Sequence, residues 1–141
     1  MAEIGRIVET EADLEEGSAW LAQVCPVWAR VLPELGPLPL RRSAAGFHTL
    51  ANAIVGQQIS IAAANSIWAR METAGLLTQD AIAAASDDDL RAAGLSRPKV
   101  KYLRGIAAAG LDWDQLARMP DDQAIAALVA LPGIGVWTAE I

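Results

Sequence analysis

The segment Gly133-Ile134-Gly135 is the part of the sequence best suited to bind an anion. Glycine adopts backbone conformations that other residues avoid, so two glycines one residue apart permit a sharp turn between helices. The amide groups of such a turn, at the start of the next helix, lack intrahelical partners and favour negative charge. Thr138 adds a hydroxyl group nearby. The segment therefore predicts a phosphate-binding corner that needs no lysine.

The basic residues of the chain are concentrated between Leu90 and Leu111. This stretch contains no acidic residue and five basic ones: Arg91, Arg97, Lys99, Lys101 and Arg104. Lys99 and Lys101 lie at the start of a predicted helix, where they are candidate contacts to phosphate. The whole chain carries a net charge of −6, which argues against binding nucleic acid through bulk charge alone. We therefore expect a basic surface on an acidic protein.

Length and composition exclude several classes of protein. The 141 residues suit one compact domain, and 53% hydrophobic residues exclude a disordered chain. Cys25 and His48 are the only cysteine and histidine, so no disulfide within the chain and no metal site built from side-chain clusters is expected. No apolar run approaches the roughly 20 residues of a membrane-spanning helix. We expect a cytoplasmic protein without a membrane partner.

Helices are predicted almost throughout, because aromatic residues are few (5%), alanine is abundant and alternating patterns are absent. An apolar helix is predicted from Phe47 to about Ile59, and a short helix from Ser18 through Gln23. Proline or capping residues mark the other starts: Pro26, Ser60, Thr78, Ser86, Ser96 and Asp121. Glycines mark the stops: Gly36, Gly75, Gly94 and Gly110. The fold class is therefore all-α.

The predicted organisation is an acidic segment over residues 1–17 and a helical domain over residues 18–141, with the hairpin at 131–139. Four tryptophans lie on apolar helix faces and are expected in the core: Trp20, Trp28, Trp68 and Trp113. The sequence stops within the first turns of its last predicted helix. We therefore expect an architecture truncated within the helix that follows the hairpin.

Three segments together resemble the helix-hairpin-helix DNA glycosylases, and most closely the DNA-3-methyladenine glycosylase II type. They are FHTLANAIVGQQIS (47–60), GLSRPKVKYLR (94–104) and LPGIGVWTA (131–139), and the resemblance extends over roughly residues 20–141. It implies a helical bundle that binds double-stranded DNA and rotates a damaged nucleotide out of the duplex. It further implies excision of alkylated purines such as 3-methyladenine by hydrolysis of the N-glycosidic bond.

The resemblance also implies roles for individual residues. The DNA backbone would be held by the hairpin residues Gly133, Ile134, Gly135, Thr138 and Ala139, in addition to Lys99 and Lys101. Gln57, Gln58 and Ser60 would form a wedge in the minor groove, where amides and hydroxyls bond to base edges. No cofactor would be required, although a monovalent cation would bind the backbone carbonyls of the hairpin.

Trp137 stands where the bifunctional members of the superfamily carry a lysine that attacks the sugar. An indole ring is no nucleophile, so the resemblance implies a monofunctional enzyme in which water displaces the base. Trp137 is expected in the base pocket, because stacking on a cationic purine gains about 1–2 kcal/mol when water is excluded.

The family's catalytic aspartate follows the hairpin, and we expect it beyond Ile141. Glu140 is the carboxylate nearest the hairpin, yet it aligns with a non-catalytic position. The 141-residue chain alone is therefore expected to be inactive. Missing helices would expose apolar faces, which a second copy or a complementing chain is expected to cover.

Two other functions compete with the glycosylase hypothesis. One is a helix-hairpin-helix module that binds DNA without chemistry, or an inactive fragment. The other is a helical interaction domain unrelated to DNA, which the acidic charge favours and which would show no salt-dependent DNA binding. In a bacterium, the glycosylase hypothesis would place the protein at the nucleoid.

Overall fold

The computed structural model describes residues 6–141, and over this range the chain forms helices and no strand. The helices are α1 (Glu11–Val24), α2 (Pro26–Leu35), α3 (Phe47–Gly56), α4 (Ile61–Thr73), α5 (Gln79–Ala84), α6 (Asp87–Ala92), α7 (Arg97–Ala108), α8 (Trp113–Leu116), α9 (Asp121–Val129) and α10 (Val136–Glu140). The all-α prediction is confirmed. None of these helices has the length and apolar character needed to span a bilayer.

The chain divides into two compact units, one ending at Ser43 and the other running from Ala44 to Ile141. Residues 17 and 18, between which we placed the division into an acidic segment and a helical domain, both lie within α1. The first unit comprises α1 and α2, which pack against each other. The second unit contains all the remaining helices, including the hairpin.

The first helix begins earlier than predicted. Thr10 and Asp13 form a capping box: the Thr10 hydroxyl accepts a hydrogen bond from the Asp13 amide, and the Asp13 carboxylate accepts one from the Thr10 amide. This pairing satisfies two amide groups at the start of α1, so the helix starts at Glu11 and Ser18 lies inside it. The prediction of a helix that begins at Ser18 is therefore wrong.

The second helix begins and ends as predicted. Pro26 occupies its first turn, where a missing amide hydrogen costs nothing, and Gly36 ends it with a φ of 72°.

Trp20 on α1 is 60% exposed, so its predicted place in the core is wrong.

The core of the second unit is built around α3 and α7. Helix α3 packs against α4, α7 and α10, while α7 also packs against α5 and α6. The side chains with almost no exposed surface are Ile54, Val55, Met71, Ile82, Leu90, Leu103 and Ile106. Because α9 packs against α10, and α10 against α3, the hairpin is held against this core.

Helices α4 to α7 begin at the predicted caps. Ser60, Thr78 and Ser86 each accept a hydrogen bond from the amide three residues later. Ser96 precedes α7, although its side chain makes no capping bond. These starts are confirmed, because an N-cap depends only on residues within one turn of it.

Helix α3 ends at Gly56, three residues before the predicted end. Gln57 has φ −56° and ψ 131°, which is not helical, and Gln58 follows with a φ of 57°. Among the described residues, Gln58 is the only non-glycine residue with positive φ. The chain therefore reverses over residues 57–60, a segment that we call the α3–α4 turn.

Three long polar side chains bind backbone carbonyls of neighbouring helices. Arg70 Nε donates to the carbonyl of Ala93 at 2.8 Å, and Gln79 Nε2 donates to the carbonyl of Ala107 at 3.0 Å. Arg104 donates to the carbonyl of Ala85 and also to the Asp87 carboxylate. These bonds satisfy carbonyl groups at or near the ends of short helices.

Candidate nucleic-acid interface

Ile134 anchors the hairpin to the protein core. This side chain is 5% exposed and belongs to the core of the second unit, and its amide donates to the carbonyl of Leu131 at 3.3 Å. Ile134 was predicted among the DNA-binding residues. Its side chain and its amide are both used within the fold, so the residue fixes the hairpin on the core.

Free amide groups line the outer end of the hairpin. Gly135 precedes α10 and has an extended backbone. Within residues 6–141, no acceptor is bonded to the amides of Gly135, Val136, Trp137 and Thr138. The next amide, that of Ala139, donates to the carbonyl of Gly135 at 3.0 Å and is therefore already paired. Four consecutive unpaired amides at a helix start have the chemistry to bind an anion.

The ring of Tyr102 on α7 packs against Gly133. Gly133 has a φ of 87°, and a Cβ atom built on it would overlap with Cγ and Cδ2 of the Tyr102 ring. Gly133 is thus required both by its backbone conformation and by the space that its neighbour occupies.

Gln57 connects the end of α3 to the hairpin. Its Nε2 atom donates to the carbonyl oxygen of Gly133 at 3.0 Å and to Thr138 Oγ1 at 3.2 Å. Thr138 is only 7% exposed, so its hydroxyl lies inward. Gln57 was predicted at the wedge and Thr138 as a phosphate contact. The structure brings these two side chains together in a partly buried contact.

The α3–α4 turn presents its other side chains to solvent. Gln58 is exposed, and so are the apolar side chains of Ile59 (38%) and Ile61 (81%). The Ser60 hydroxyl accepts a hydrogen bond from the amide of Ala63 at 3.2 Å. The sequence analysis did not predict that these two isoleucines are exposed. They flank the helix cap Ser60, after the apolar face of α3 has ended, and this position could have indicated their exposure.

The two lysines predicted as phosphate contacts lie in different environments. Lys99 Nζ donates to the carbonyl oxygen of Val55, in the last turn of α3, at 2.6 Å. Partial burial lowers the pKa of the Lys99 ammonium from its ordinary value. Lys101 is exposed, as are Arg91 and Arg97. None of these three exposed residues forms an ion pair with another described residue.

Trp137 projects from the first turn of α10 and is 72% exposed. The neighbouring Val136 is 54% exposed and Glu140 is exposed as well. Within residues 6–141, no three histidine, cysteine, aspartate or glutamate side chains come together as a metal-binding group. The surface around the hairpin thus offers amide groups, an indole ring and two exposed isoleucines.

Comparison with protein families shows which superfamily the chain belongs to. Residues 51–131, more than half of the chain, match the family described as HhH-GPD superfamily base excision DNA repair protein. The chain belongs to this superfamily. The matched range runs from α3 to the first residue of the predicted hairpin segment, so it includes the α3–α4 turn and the basic stretch of α7. The resemblance to the helix-hairpin-helix DNA glycosylase superfamily is confirmed.

Solved structures of three superfamily members share the fold. A DNA-3-methyladenine glycosidase from Bacillus halodurans is 32% identical, with a TM-score of 0.70 over 85% of this chain. A 3-methyladenine DNA glycosylase from Schizosaccharomyces pombe, in complex with abasic DNA, is 27% identical, with a TM-score of 0.79 over 89%. A 3-methyladenine DNA glycosylase from Archaeoglobus fulgidus is 26% identical, with a TM-score of 0.75 over 89%. The helix-hairpin-helix glycosylase fold is therefore confirmed.

The present chain spans only part of each of these proteins. It covers 58% of the Bacillus halodurans chain, 66% of the Schizosaccharomyces pombe chain and 48% of the Archaeoglobus fulgidus chain. No curated protein matches the sequence.

Proposed function

We propose that the chain binds damaged double-stranded DNA as part of a base-excision repair glycosylase that removes alkylated purines. One observation carries the proposal: the amide of Gln57 joins the hairpin, with its free amides, to the turn that exposes Gln58. Base flipping requires a hold on the backbone close to a group that fills the vacated space in the duplex. These two adjacent elements have the chemistry for both tasks.

The hairpin would bind a phosphate group through its backbone. The amides of Gly135, Val136, Trp137 and Thr138 are free to donate, and the helix end adds partial positive charge. Thr138 would contribute its amide, since its hydroxyl is bonded to Gln57. Lys101, Arg91 and Arg97 would add long-range attraction, which an otherwise acidic protein needs to approach DNA.

Hairpin carbonyls are suited to a monovalent cation. The carbonyl oxygens of Val129 and Ala130, just before the hairpin, and of Pro132 and Ile134 within it accept no hydrogen bond from any described residue. Carbonyl oxygens are ligands that such ions prefer, so these groups would hold the cation. The bound charge would strengthen the attraction of the hairpin for phosphate.

The α3–α4 turn would enter the minor groove. Gln58 offers an amide that can bond to base edges, and the left-handed backbone places this residue at the tip of the turn. Ile59 and Ile61 are apolar side chains of the kind that insert between base steps. Gln58 would therefore act as the wedge, with the isoleucines beside it.

Trp137 would stack on the extruded base. The three structural relatives are named as 3-methyladenine glycosylases, and alkylated purines of this kind are cationic. An exposed indole attracts a cationic ring through its π face. Because indole does not form a Schiff base, the reaction would be a simple hydrolysis. The carboxylate that stabilises cationic character on the sugar or orients the attacking water would be an aspartate outside these 141 residues.

Release of free base from methylated duplex DNA tests this function, with the 141-residue chain and any longer product of the same gene assayed in parallel. Release by the longer product alone would support the proposal and the position of the aspartate. The unpaired amides of the hairpin would also suit a second candidate, a module that binds DNA without chemistry. Salt-dependent duplex binding without base release by either protein would support that module.

A further inference from the structure

We propose that Gln57 is a positioning residue that holds the hairpin in register with the α3–α4 turn and makes no contact with DNA itself. The inference rests on the proposed DNA-binding function. It also replaces the expectation that Gln57 belongs to the wedge. Only the neighbouring Gln58, which is exposed, would then act as the wedge.

The Gln57 side-chain amide has no donor left for DNA. A glutamine side chain has two N–H groups on Nε2, and here one faces the carbonyl of Gly133 while the other faces Thr138 Oγ1. The side chain cannot be turned over, because its oxygen would then face the Gly133 carbonyl, which only accepts. Both donors of the Gln57 side chain are therefore used within the protein.

The two hydrogen bonds of Gln57 link the two elements of the site, the hairpin and the α3–α4 turn. Gly133 lies before the free amides of the hairpin, and Thr138 carries the last of them. Gln57 also directly precedes Gln58 in the chain. Its two bonds thus clamp both sides of the phosphate corner to the residue next to the proposed wedge.

Other contacts of the hairpin do not duplicate this clamp. Tyr102 supports Gly133 from α7, and Ile134 anchors the hairpin to the core. Neither side chain belongs to the α3–α4 turn. Lys99 binds the carbonyl of Val55, two residues before Gln57, and so fixes the end of α3. Gln57 alone supplies a side-chain hydrogen bond between the turn and the hairpin among the described residues.

Amide hydrogen exchange in the DNA-free chain tests the clamp directly. Gln57→Met keeps the length of the side chain and removes both donors. We expect the paired amides of Ile134 and Ala139 to exchange roughly tenfold faster in this variant. Thr138→Val removes one acceptor and should give about a threefold increase. Gln58→Met is the matched control, with exchange at the hairpin unchanged.

Duplex affinity in the same variants completes the test. Under the proposal, Gln57→Met weakens binding roughly three- to tenfold, and adding Thr138→Val causes little further loss because the bond is already gone. Unchanged exchange in Gln57→Met together with weakened binding would show a direct DNA contact and overturn the proposal. The proposal would also be overturned if Thr138→Val weakened duplex binding equally in the unaltered chain and in Gln57→Met.

The proposed DNA-binding function fails in a different way. In that case, the unaltered chain would bind no duplex at any salt concentration. The exchange experiment needs no DNA and would still report whether Gln57 orders the hairpin. If Gln57 orders the hairpin but the unaltered chain binds no DNA, then its role in positioning the hairpin for DNA recognition is overturned.

Discussion

The ring of Tyr102 occupies the space in which a side chain at residue 133 would lie, so α7 and the hairpin meet at the bare backbone of Gly133. This contact fixes the start of the hairpin. The second glycine differs: a Cβ atom on Gly135 would meet no atom within 4 Å, and the φ of Gly135 is −91°. The two glycines of one motif therefore serve different purposes.

Gly133→Ala should destabilise the chain by about 2–4 kcal/mol, because it adds strain at positive φ to overlap with Tyr102. Gly135→Ala is the matched control and should cost less than about 1 kcal/mol. Urea denaturation of the two variants measures both free energies of unfolding. Equal losses would contradict the assignment of separate roles.

Substitution of Lys99 should affect stability, whereas substitution of Lys101 should affect DNA binding. Lys99→Met removes the bond to the Val55 carbonyl and should lower the free energy of unfolding by about 1 kcal/mol. Lys101→Met should leave stability unchanged and reduce the salt dependence of duplex binding by about one unit of slope. Denaturation measures the stability of both variants, and salt titration measures the salt dependence of their duplex binding. If only Lys99→Met reduced that salt dependence, then Lys99 and not Lys101 would be the phosphate contact.

Local signals made most helix boundaries predictable. The serine and threonine caps of α4, α5 and α6 bond to amides within the next turn, so the sequence around each cap contains the whole interaction. The box of Thr10 and Asp13 has the same spacing as that of Ser86 and Asp89. It was overlooked because the surrounding acidic run was interpreted as a separate segment.

The candidate site was predictable in its motif and not in its internal contacts. The glycines of the hairpin stand out in the sequence, whereas the partner of Gln57 in the hairpin lies 76 residues further along the chain. Lys99 likewise binds a carbonyl 44 residues before it. No local pattern reveals whether such a side chain faces solvent or another helix, because the tertiary packing decides its direction.

The start of α1 should depend on pH. Hydrogen bonds from Arg6, then from Thr10 and from the amide of Glu9, lower the pKa of Asp13 below its ordinary value. Because the folded pKa is the lower one, the stabilisation is present above about pH 4 and is lost as the pH falls further. Amide signals of α1 followed from pH 6 to pH 2 should show fraying of its first turn.

Asp13→Ala provides the control for this pH dependence. Without the carboxylate, the first turn of α1 should be frayed at every pH, and acid should cause no further change there. A first turn that frays in acid to the same extent in this variant would show that another group is responsible.

Trp137→Ala should leave stability almost unchanged, within about 0.5 kcal/mol, because the side chain is 72% exposed in the free chain. Under the proposed function, the variant should lose selectivity for duplexes that contain a cationic alkylated purine, since the stacking surface is gone. Trp137→Phe is the conservative control and should keep part of that selectivity. Titration of methylated and unmethylated duplexes with both variants measures the difference, and equal ratios in the unaltered chain and Trp137→Ala would remove Trp137 from base recognition.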